Sequence, residues 1–232
     1  MVCVLGAMDQ EITAIAAAVD VRKKEIWNGF PFIHGALFGH EVVVAKSGVG
    51  KTLSAMVTQR IIDTYAPTRI LVTGIAGALN RAYKVGDTII ADSCVQHDMN
   101  ATAVGFARGE VPHTKRRFIE CDRRMVEAAV TYVPASGTVH RGRIVTGDVF
   151  VRDRNEPSLA YLTEQLSGDA VEMEGASIGL VAAMNRIEFL LIRTISDFAD
   201  GSAPPDFPAF LRCASQNSLQ CVRHVLDNVA VN

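Results

Sequence analysis

Short runs of apolar residues alternate along this chain with stretches in which apolar residues recur every three or four positions. Runs that are apolar at successive positions are typical of β-strands covered on both faces of a sheet. Strands that alternate with helices predict an α/β fold with a largely parallel sheet. The predicted strands are residues 2–5, 41–45, 70–73, 89–91, 143–146 and 189–192.

Three stretches carry the helical pattern, in which apolar residues share one face. Asp206 lies where it can cap the last of these helices. Residues 32–44, interrupted at 38–40, predict a hairpin. We find no repeat and no linker, so we predict a single domain over residues 1–232. The predicted helical faces are Ile12, Ile15, Ala16 and Val19; Leu53, Met56, Val57, Ile61 and Tyr65; and Leu211, Ala214, Ser215, Leu219, Val222, Leu226 and Val229.

Composition narrows the class of protein without indicating an activity. Of 232 residues, 49% are apolar and 21% charged, with 23 basic and 25 acidic residues. Such a composition is not typical of an intrinsically disordered chain, and it lacks the excess of basic residues that is typical of proteins that bind nucleic acid. No apolar run is long enough to span a bilayer, and the N-terminus lacks the basic segment of a signal peptide. Five widely spaced cysteines without a CxxC argue against disulfides or a zinc site, so we expect a cytoplasmic protein.

One turn is similar to a phosphate-binding loop. Residues 45–52 (AKSGVGKT) follow a predicted strand and match GxxxxGK[ST], except that Ala45 replaces the first glycine. No strand with a magnesium-binding aspartate follows in a suitable context, which disfavours nucleoside triphosphate hydrolysis. The turn is either a tight connection with Lys51 in the first helical turn or the border of another small-molecule site, and we favour the second interpretation.

Two glutamates lie in an apolar segment, where charged side chains are unusual. Glu172 and Glu174 flank Met173 within residues 170–184, most of which are apolar or small. Glutamate is rarely fully buried unless it is paired or functional. A solvated strand end or a helix N-terminus would explain one such glutamate. Two of them favour a functional site.

Arg193 interrupts the last predicted strand, which continues to Ser196 and Asp197. Alternation puts Arg193, Ile195 and Asp197 on one face if the strand stays regular. An internal ion pair and a ligand site fit this arginine equally well. Glu11, near the start of the first helix, would alone be interpreted as a surface residue. Together, these acids and the arginine beside strand ends predict an acid/base site without a metal.

Seven motifs occur in a fixed order over nearly the whole chain. They are GAMDQEI (6–12), KSGVGK (46–51), TGIAG (73–77), KVGD (84–87), GDVFV (147–151), VEME (171–174) and RTISD (193–197). With these motifs the chain resembles the bacterial 5′-methylthioadenosine/S-adenosylhomocysteine nucleosidases of the nucleoside phosphorylase type I superfamily. The resemblance implies a single-domain, three-layer α/β/α fold with a central mixed, partly barrel-like sheet. It also implies hydrolysis of the N-glycosidic bond to adenine without a metal or another cofactor.

The resemblance further implies roles for individual residues. Asp197 would protonate adenine N7, with Ser196 helping to place it. Glu11 would activate water, Arg193 would lie near that water, and Glu174 would accept hydrogen bonds from the ribose hydroxyls. Further substrate contacts are implied for Met173 at the sugar, Phe150 and Val151 at adenine, Met8, Val49 and Phe207 at the sugar and the 5′-thioether, and Ile75, Ala76, Gly77 and Glu172 elsewhere in the pocket.

A partner chain is also implied, because the nucleosidases that the chain resembles are homodimers in which a loop of the partner closes the thioether pocket. Residues 101–112 match that loop, with Val104 and Pro112 as the pocket contributors. Ile75 replaces a serine common among relatives, and Ala101 and Val104 are smaller than the residues common there. The choice of substrate is therefore open among 5′-methylthioadenosine, S-adenosylhomocysteine, 5′-deoxyadenosine and 6-amino-6-deoxyfutalosine.

Two alternative functions fit the same fold. A purine nucleoside phosphorylase would need arginines around phosphate, whereas the first glycine-rich turn carries Glu11 and no arginine. A nucleoside-binding protein without catalysis would not need Glu11, Glu174 and Asp197 together. We therefore favour a hydrolase that acts on a small, nearly uncharged nucleoside.

Overall fold

The computed structural model describes residues 1–200 and 206–229, which contain the mixture of strands and helices that the sequence predicts, although β2, β3 and β4 follow one another without a helix, as do β5, β6 and β7. The strands are β1 (Val2–Gly6), β2 (Asp20–Trp27), β3 (Phe30–Leu37), β4 (His40–Lys46), β5 (Arg69–Val72), β6 (Ile75–Ala78), β7 (Thr88–Gln96), β8 (Ile119–Glu120), β9 (Val139–Thr146), β10 (Ala170–Glu172) and β11 (Glu188–Asp197). The α-helices are α1 (Asp9–Ala18), α2 (Lys51–Tyr65), α3 (Arg123–Ala129), α4 (Tyr161–Glu164), α5 (Gly175–Met184) and α6 (Phe207–Asn228).

The strands form a sheet in the order β2-β3-β4-β1-β5-β11-β6-β10-β9-β7-β8. β11 also pairs with β7, so that β11, β6, β10, β9 and β7 close into a ring. This confirms the mixed, partly barrel-like sheet. The expectation of a largely parallel sheet holds for the pairings β4–β1, β1–β5, β5–β11, β11–β6, β10–β9 and β9–β7, and it is wrong for the remaining pairings, which are antiparallel. The antiparallel pairings come from the β2–β3–β4 meander and from the contacts of β6, β7 and β8, several of which involve strands too short or too charged to predict.

Helices cover the sheet in two groups. α1 and α3 pack against α6, and α2 packs against α5. α5 contacts β7, β9 and β11, and α6 also contacts β11, so the sheet lies between helical layers. β1 and β5 are buried at every position, as expected for strands covered on both faces. Among the helices of the described residues, none is long and apolar enough to cross a membrane.

The buried face of α2 differs from the predicted one. Leu53 and Met56 are exposed, whereas Ser54 and Thr58 are buried beside Val57. Both hydroxyls donate hydrogen bonds to carbonyl groups one turn earlier, so their burial leaves no polar group unsatisfied. These short side chains suit the contact of α2 with α5, and a pattern that counts only apolar residues misses them.

Other local predictions are confirmed. β3 and β4 form the predicted hairpin. The Asp206 carboxylate accepts a hydrogen bond of 2.9 Å from the Ala209 amide and caps α6. Most of β2 is exposed at one edge of the sheet, where charged residues are common, and its sequence (DVRKKEIW) shows no apolar run. The single-domain division of the chain stays a prediction.

Candidate active site

A cavity of about 470 Å³ lies where the ends of several strands meet. All the implied substrate contacts within one chain are in its wall, together with Glu11, Glu174 and Asp197. Arg193 and the two loop residues Val104 and Pro112 are not among the described wall residues. The wall consists of Ala7, Met8, Glu11, Val49, Ile75, Ala76, Gly77, Val149, Phe150, Val151, Val171, Glu172, Met173, Glu174, Ser196, Asp197 and Phe207.

Three wall residues were missed by the sequence reasoning, namely Ala7, Val149 and Val171. Each lies inside a quoted motif and directly precedes a residue assigned to the pocket, so assigning the neighbouring motif position as well would have found them. The apolar members of the wall include exposed side chains, with Phe150 at 68% and Val149 at 52% exposure. Apolar side chains exposed beside a cavity are typical of a ligand site.

Glu11 is buried at the start of α1, which corrects its interpretation as a surface residue. Oε2 accepts hydrogen bonds from the amides of Ala7 (2.7 Å) and Met8 (3.0 Å), and Oε1 accepts one from Ile75 (3.0 Å). A carboxylate offers roughly four acceptor positions, so Oε1 retains one. Burial raises the pKa of Glu11, an effect that Arg193 and the three amides oppose.

Glu172 is buried and receives donors on both oxygens. Its carboxylate accepts hydrogen bonds from the Arg193 guanidinium and the Thr146 hydroxyl. It also accepts from the amides of Glu174 (3.0 Å) and Gly175 (2.8 Å). Because these donors take up its acceptor positions, the geometry favours Glu172 as a structural part of the wall over a substrate ligand.

Arg193 is almost fully buried and forms the internal ion pair considered from sequence. Nη1 donates a hydrogen bond of 2.6 Å to the Thr73 carbonyl, and Nη2 lies 3.5 Å from Glu174 Oε2. The guanidinium also approaches Glu11 across Gly74, where a Cβ atom would lie 2.4 Å from Nη1 and 2.5 Å from Glu11 Oε1. Arg193 thus balances the charges of the acids from behind the wall.

Glu174 keeps free acceptor positions at the cavity. Oε1 accepts a hydrogen bond of 2.9 Å from the Gly50 amide, and among residues 1–200 and 206–229 the one partner of Oε2 is Arg193, at a long distance. Burial and the neighbouring charge of Glu172 raise the pKa of Glu174. When ionised, this carboxylate can accept hydrogen bonds from the hydroxyls of a ligand in the cavity.

The end of β11 is irregular where it pairs with β6. The register shifts between Ile195 and Asp197, which makes Ser196 the extra residue of a β-bulge. The common face of Arg193, Ile195 and Asp197 is predicted for a regular strand, and this condition does not hold, because the bulge interrupts the alternation between Ile195 and Asp197. The bulge brings Ser196 and Asp197 into the wall together.

Asp197 is supported on both carboxyl oxygens. Oδ2 accepts a hydrogen bond of 2.7 Å from the Ser196 hydroxyl, and Oδ1 accepts one of 2.7 Å from the Ala199 amide. Ser196 Oγ also lies 3.3 Å from the Ala76 carbonyl. The hydroxyl can therefore donate to ionised Asp197, or donate to Ala76 while it accepts from protonated Asp197.

The P-loop-like turn contributes Val49 to the cavity, in line with the favoured interpretation. Its phosphate-binding groups have other partners. The Gly50 amide donates to Glu174, and Lys51 Nζ lies 2.6 Å from Asp98 Oδ1. In a P-loop the corresponding amides and lysine bind phosphate oxygens. In this chain the Gly50 amide and the Lys51 ammonium group bind carboxylate oxygens instead.

Known sequences and structures decide the family. The Phosphorylase superfamily profile matches residues 1–227. A 5′-methylthioadenosine/S-adenosylhomocysteine nucleosidase of Shewanella loihica is 33% identical over 228 residues, which cover 97% of this chain and 98% of that protein. The chain belongs to this nucleosidase family. Its members are N-glycosyl hydrolases.

Solved structures of the nucleosidase family share the whole fold. The Neisseria meningitidis 5′-methylthioadenosine/S-adenosylhomocysteine nucleosidase, in complex with methylthio-immucillin-A, matches with a TM-score of 0.90 at 34% identity, covering 98% of this chain and 99% of that one. The futalosine hydrolase of Helicobacter pylori matches with a TM-score of 0.87 at 30% identity, covering 98% and 97%. The predicted family and fold class are confirmed. Since both kinds of hydrolase match closely, the fold alone does not select the substrate.

Replacing the buried arginine of this nucleosidase should destabilise it. We expect Arg193→Met to lower the free energy of unfolding by about 3–5 kcal/mol, because Glu172 and Glu174 would lose their buried countercharge. Denaturant unfolding followed by circular dichroism measures this loss.

Arg141→Met provides the matched control. Arg141 pairs with Asp92 at 2.6 Å, but both side chains are exposed, and exposed pairs contribute little to stability. Adding Glu172→Gln to Arg193→Met should restore part of the loss, because it removes one unpaired buried charge. A loss for Arg193→Met no larger than for Arg141→Met would contradict the assigned role.

Proposed function

We propose that this chain hydrolyses the N-glycosidic bond between adenine and a 5′-substituted ribose, with 5′-methylthioadenosine and S-adenosylhomocysteine as substrates. The observation that carries the proposal is one cavity into which Glu11, Glu174 and Asp197 project from three different parts of the fold. Each carboxyl group has its own hydrogen-bond partners, and such differences let neighbouring acids hold different protonation states. None of the proposed steps needs a metal or another cofactor.

Asp197 acts as the general acid. It transfers its proton to adenine N7 while the C1′–N9 bond breaks and its electron pair moves to the purine, so that neutral adenine leaves. The hydrogen bond that the Ser196 hydroxyl donates to Oδ2 stabilises the Asp197 carboxylate that this transfer leaves behind. General acid catalysis of this kind contributes roughly 10²–10⁴-fold to a rate.

Glu11 acts as the general base. The remaining acceptor position of Oε1 takes a proton from water, whose oxygen forms the new bond to C1′. Three amide donors orient the carboxylate for this step. The ionised form of Glu174 accepts hydrogen bonds from the ribose hydroxyls and stabilises the positive charge that develops on the sugar. One water is consumed, and solvent returns the proton from Glu11 to Asp197.

The apolar wall binds the rest of the nucleoside. We assign Phe150 to stacking on adenine, the Val151 backbone to the purine edge and Met173 to the sugar. Exposed aromatic and aliphatic side chains suit a base with a π face and a thioether substituent. The sugar and the 5′ group are assigned to Met8, Val49 and Phe207, and Ile75, Ala76 and Gly77 are assigned to other parts of the pocket. The 5′ groups of 5′-deoxyadenosine and aminodeoxyfutalosine remain candidates, since Ile75 makes this wall less polar than serine would.

The charges around the cavity favour water over phosphate as the attacking group. All charged side chains in the described wall are acidic: Glu11, Glu172, Glu174 and Asp197. A phosphate dianion would be repelled by these carboxylates. The nearby cations Arg193 and Lys51 are already paired with carboxylates.

We also propose a homodimer in the cytoplasm. Val104 is 73% exposed and lies with Pro112 outside the described wall of its own chain, as a loop contributed to a partner's pocket would. Cys3, Cys94, Cys121 and Cys221 are buried free thiols, which suits a reducing compartment. Sedimentation of the purified protein tests the dimer.

Adenine release tests the reaction. We expect purified protein to convert 5′-methylthioadenosine to adenine and 5-methylthioribose at the same rate with and without phosphate, because water is the attacking group. The four candidate nucleosides assayed side by side rank the 5′ groups. Strict phosphate dependence with a sugar 1-phosphate product would establish phosphorolysis, and a bound nucleoside that stays intact would establish a binding protein.

A further inference from the structure

Lys51 has no part in the proposed chemistry, although it is the lysine of the P-loop-like turn. Its side chain is only 17% exposed, and Nζ lies 2.6 Å from Asp98 Oδ1. Nζ also lies 3.5 Å from Gln96 Oε1 and 4.0 Å from Asp148 Oδ2. The lysine at the start of α2 thus contacts acids from two other segments, one directly after β7 and one after β9.

The two aspartates complete a closed ring with this lysine. Asp98 Oδ2 accepts a hydrogen bond of 2.9 Å from the Asp148 amide, and Asp148 Oδ1 accepts one of 2.7 Å from the Lys51 amide. Burial alone would raise the pKa of Asp98, but the hydrogen bonds from Lys51 and the Asp148 amide hold it below its ordinary value. Hydrogen bonds to ionised groups are the stronger ones.

The ring holds cavity residues on two sides. Asp148 begins the segment that carries Phe150, the proposed base-stacking residue, and residues 148–150 are exposed. An exposed segment with little packing depends on its anchors for a fixed position. On the other side, Gly50 precedes Lys51, and its amide orients Glu174 at 2.9 Å. A Cβ atom at Gly50 would lie 2.9 Å from Asp148 Oδ1, which shows how closely the two segments meet.

We propose that Lys51 and Asp98 are positioning residues that hold the adenine-binding segment 148–151 and, through Gly50, the sugar-binding Glu174 in one arrangement. The proposal rests on the proposed function for the contacts of both adenine and the sugar. Neither residue touches the reacting atoms, so its loss weakens binding of the nucleoside more than it slows the chemical step.

Lys51→Met and Asp98→Asn test the pair, with 5′-methylthioadenosine and adenine as probes. We expect each variant to raise KM for 5′-methylthioadenosine and the Kd for adenine by roughly tenfold, the size of one lost charge-assisted hydrogen bond. kcat should change much less. The double variant should be no worse than either single one, because both remove the same contact. Lys51→Arg, which can still pair with Asp98, should recover most of the affinity.

Lys23→Met is the matched control, because Lys23 forms an exposed ion pair of 2.6 Å with Glu25 on the edge strand β2. It should leave KM and adenine affinity unchanged. Variants at Lys51 and Asp98 that lower thermal stability but leave KM and adenine affinity within twofold of wild type would overturn the proposal, as would additive losses in the double variant. If the wild type binds adenine but does not hydrolyse 5′-methylthioadenosine, the proposed function fails while the adenine titrations still decide on the ion pair.

Discussion

Asp197→Asn is expected to lower kcat for adenine release by roughly 10²–10⁴-fold, the usual contribution of a general acid. Asparagine preserves the shape of the side chain. Its carbonyl oxygen can still accept the hydrogen bond from Ala199, and its amide can donate to Ser196 Oγ, but it has no acidic proton for adenine N7. Substrate binding should therefore persist, which calorimetry with intact 5′-methylthioadenosine measures directly.

A substrate with a different leaving group distinguishes the loss of the general acid from a general disturbance of the site. In a 4-nitrophenyl riboside the leaving group is 4-nitrophenolate, which departs without protonation. Asp197→Asn should therefore hydrolyse this riboside nearly as fast as the wild type does. Ser196→Ala should cause a smaller loss with adenine nucleosides, because it removes one support of Asp197 and leaves the acid in place. Unchanged adenine release by Asp197→Asn would move the acid role to another group.

Six strands of the sheet, β1, β4, β5, β7, β9 and β11, could be predicted because each contains a run of apolar residues. β1 and β5 are buried throughout, so their sequences record burial directly. β2 could not be found in this way, because Arg22, Lys23 and Lys24 lie exposed on an edge strand. The pattern therefore shows strands with a clear apolar run and misses both the charged edge strand β2 and the short internal strands β6 and β10.

The candidate site could be predicted as a set of residues, since motifs at strand ends meet in space. Its internal contacts could not. Glu11 is buried because the amide of Ile75, 64 positions away, approaches its carboxylate. The bulge at Ser196 depends on pairing with β6 and leaves no mark on the alternation of β11. Such long-range contacts decide which acid is paired and which remains available to a ligand.

Arg193 and Lys51 show why the charged residues needed the structure. From sequence, each could belong either to a ligand site or to an internal ion pair. Arg193 balances Glu172 behind the cavity wall, and Lys51 pairs with Asp98 at its border. With these cations already paired, the cavity presents carboxylates to its ligand. A neutral nucleoside and water are compatible with such a surface, whereas a phosphate is not.

Glu11→Gln is expected to lower kcat by roughly 10²–10⁴-fold, because the amide cannot take a proton from water. The variant should fold and bind substrate, since glutamine keeps the size of the side chain and can still accept part of the amide hydrogen bonds of Ala7, Met8 and Ile75. Thermal unfolding and nucleoside titration check both points. A variant with full kcat would show that water is activated elsewhere.

The pH profile gives the sharper test, because a base works only when it is ionised. Burial raises the pKa of Glu11, so its ionised form is lost at a higher pH than for a glutamate in solution. As pH falls through that raised pKa, wild-type kcat should decrease, by about tenfold per pH unit once the group is mostly protonated. Glu11→Gln should lack this acid limb. Glu174 also has a raised pKa, and Glu174→Gln should lower kcat as well as raise KM, because ionised Glu174 stabilises the charge on the sugar. The limb set by Glu11 should nevertheless remain in Glu174→Gln, because Glu174 does not accept the water proton. An acid limb that persists in Glu11→Gln and disappears in Glu174→Gln would show that Glu174 is the general base and that Glu11 is not.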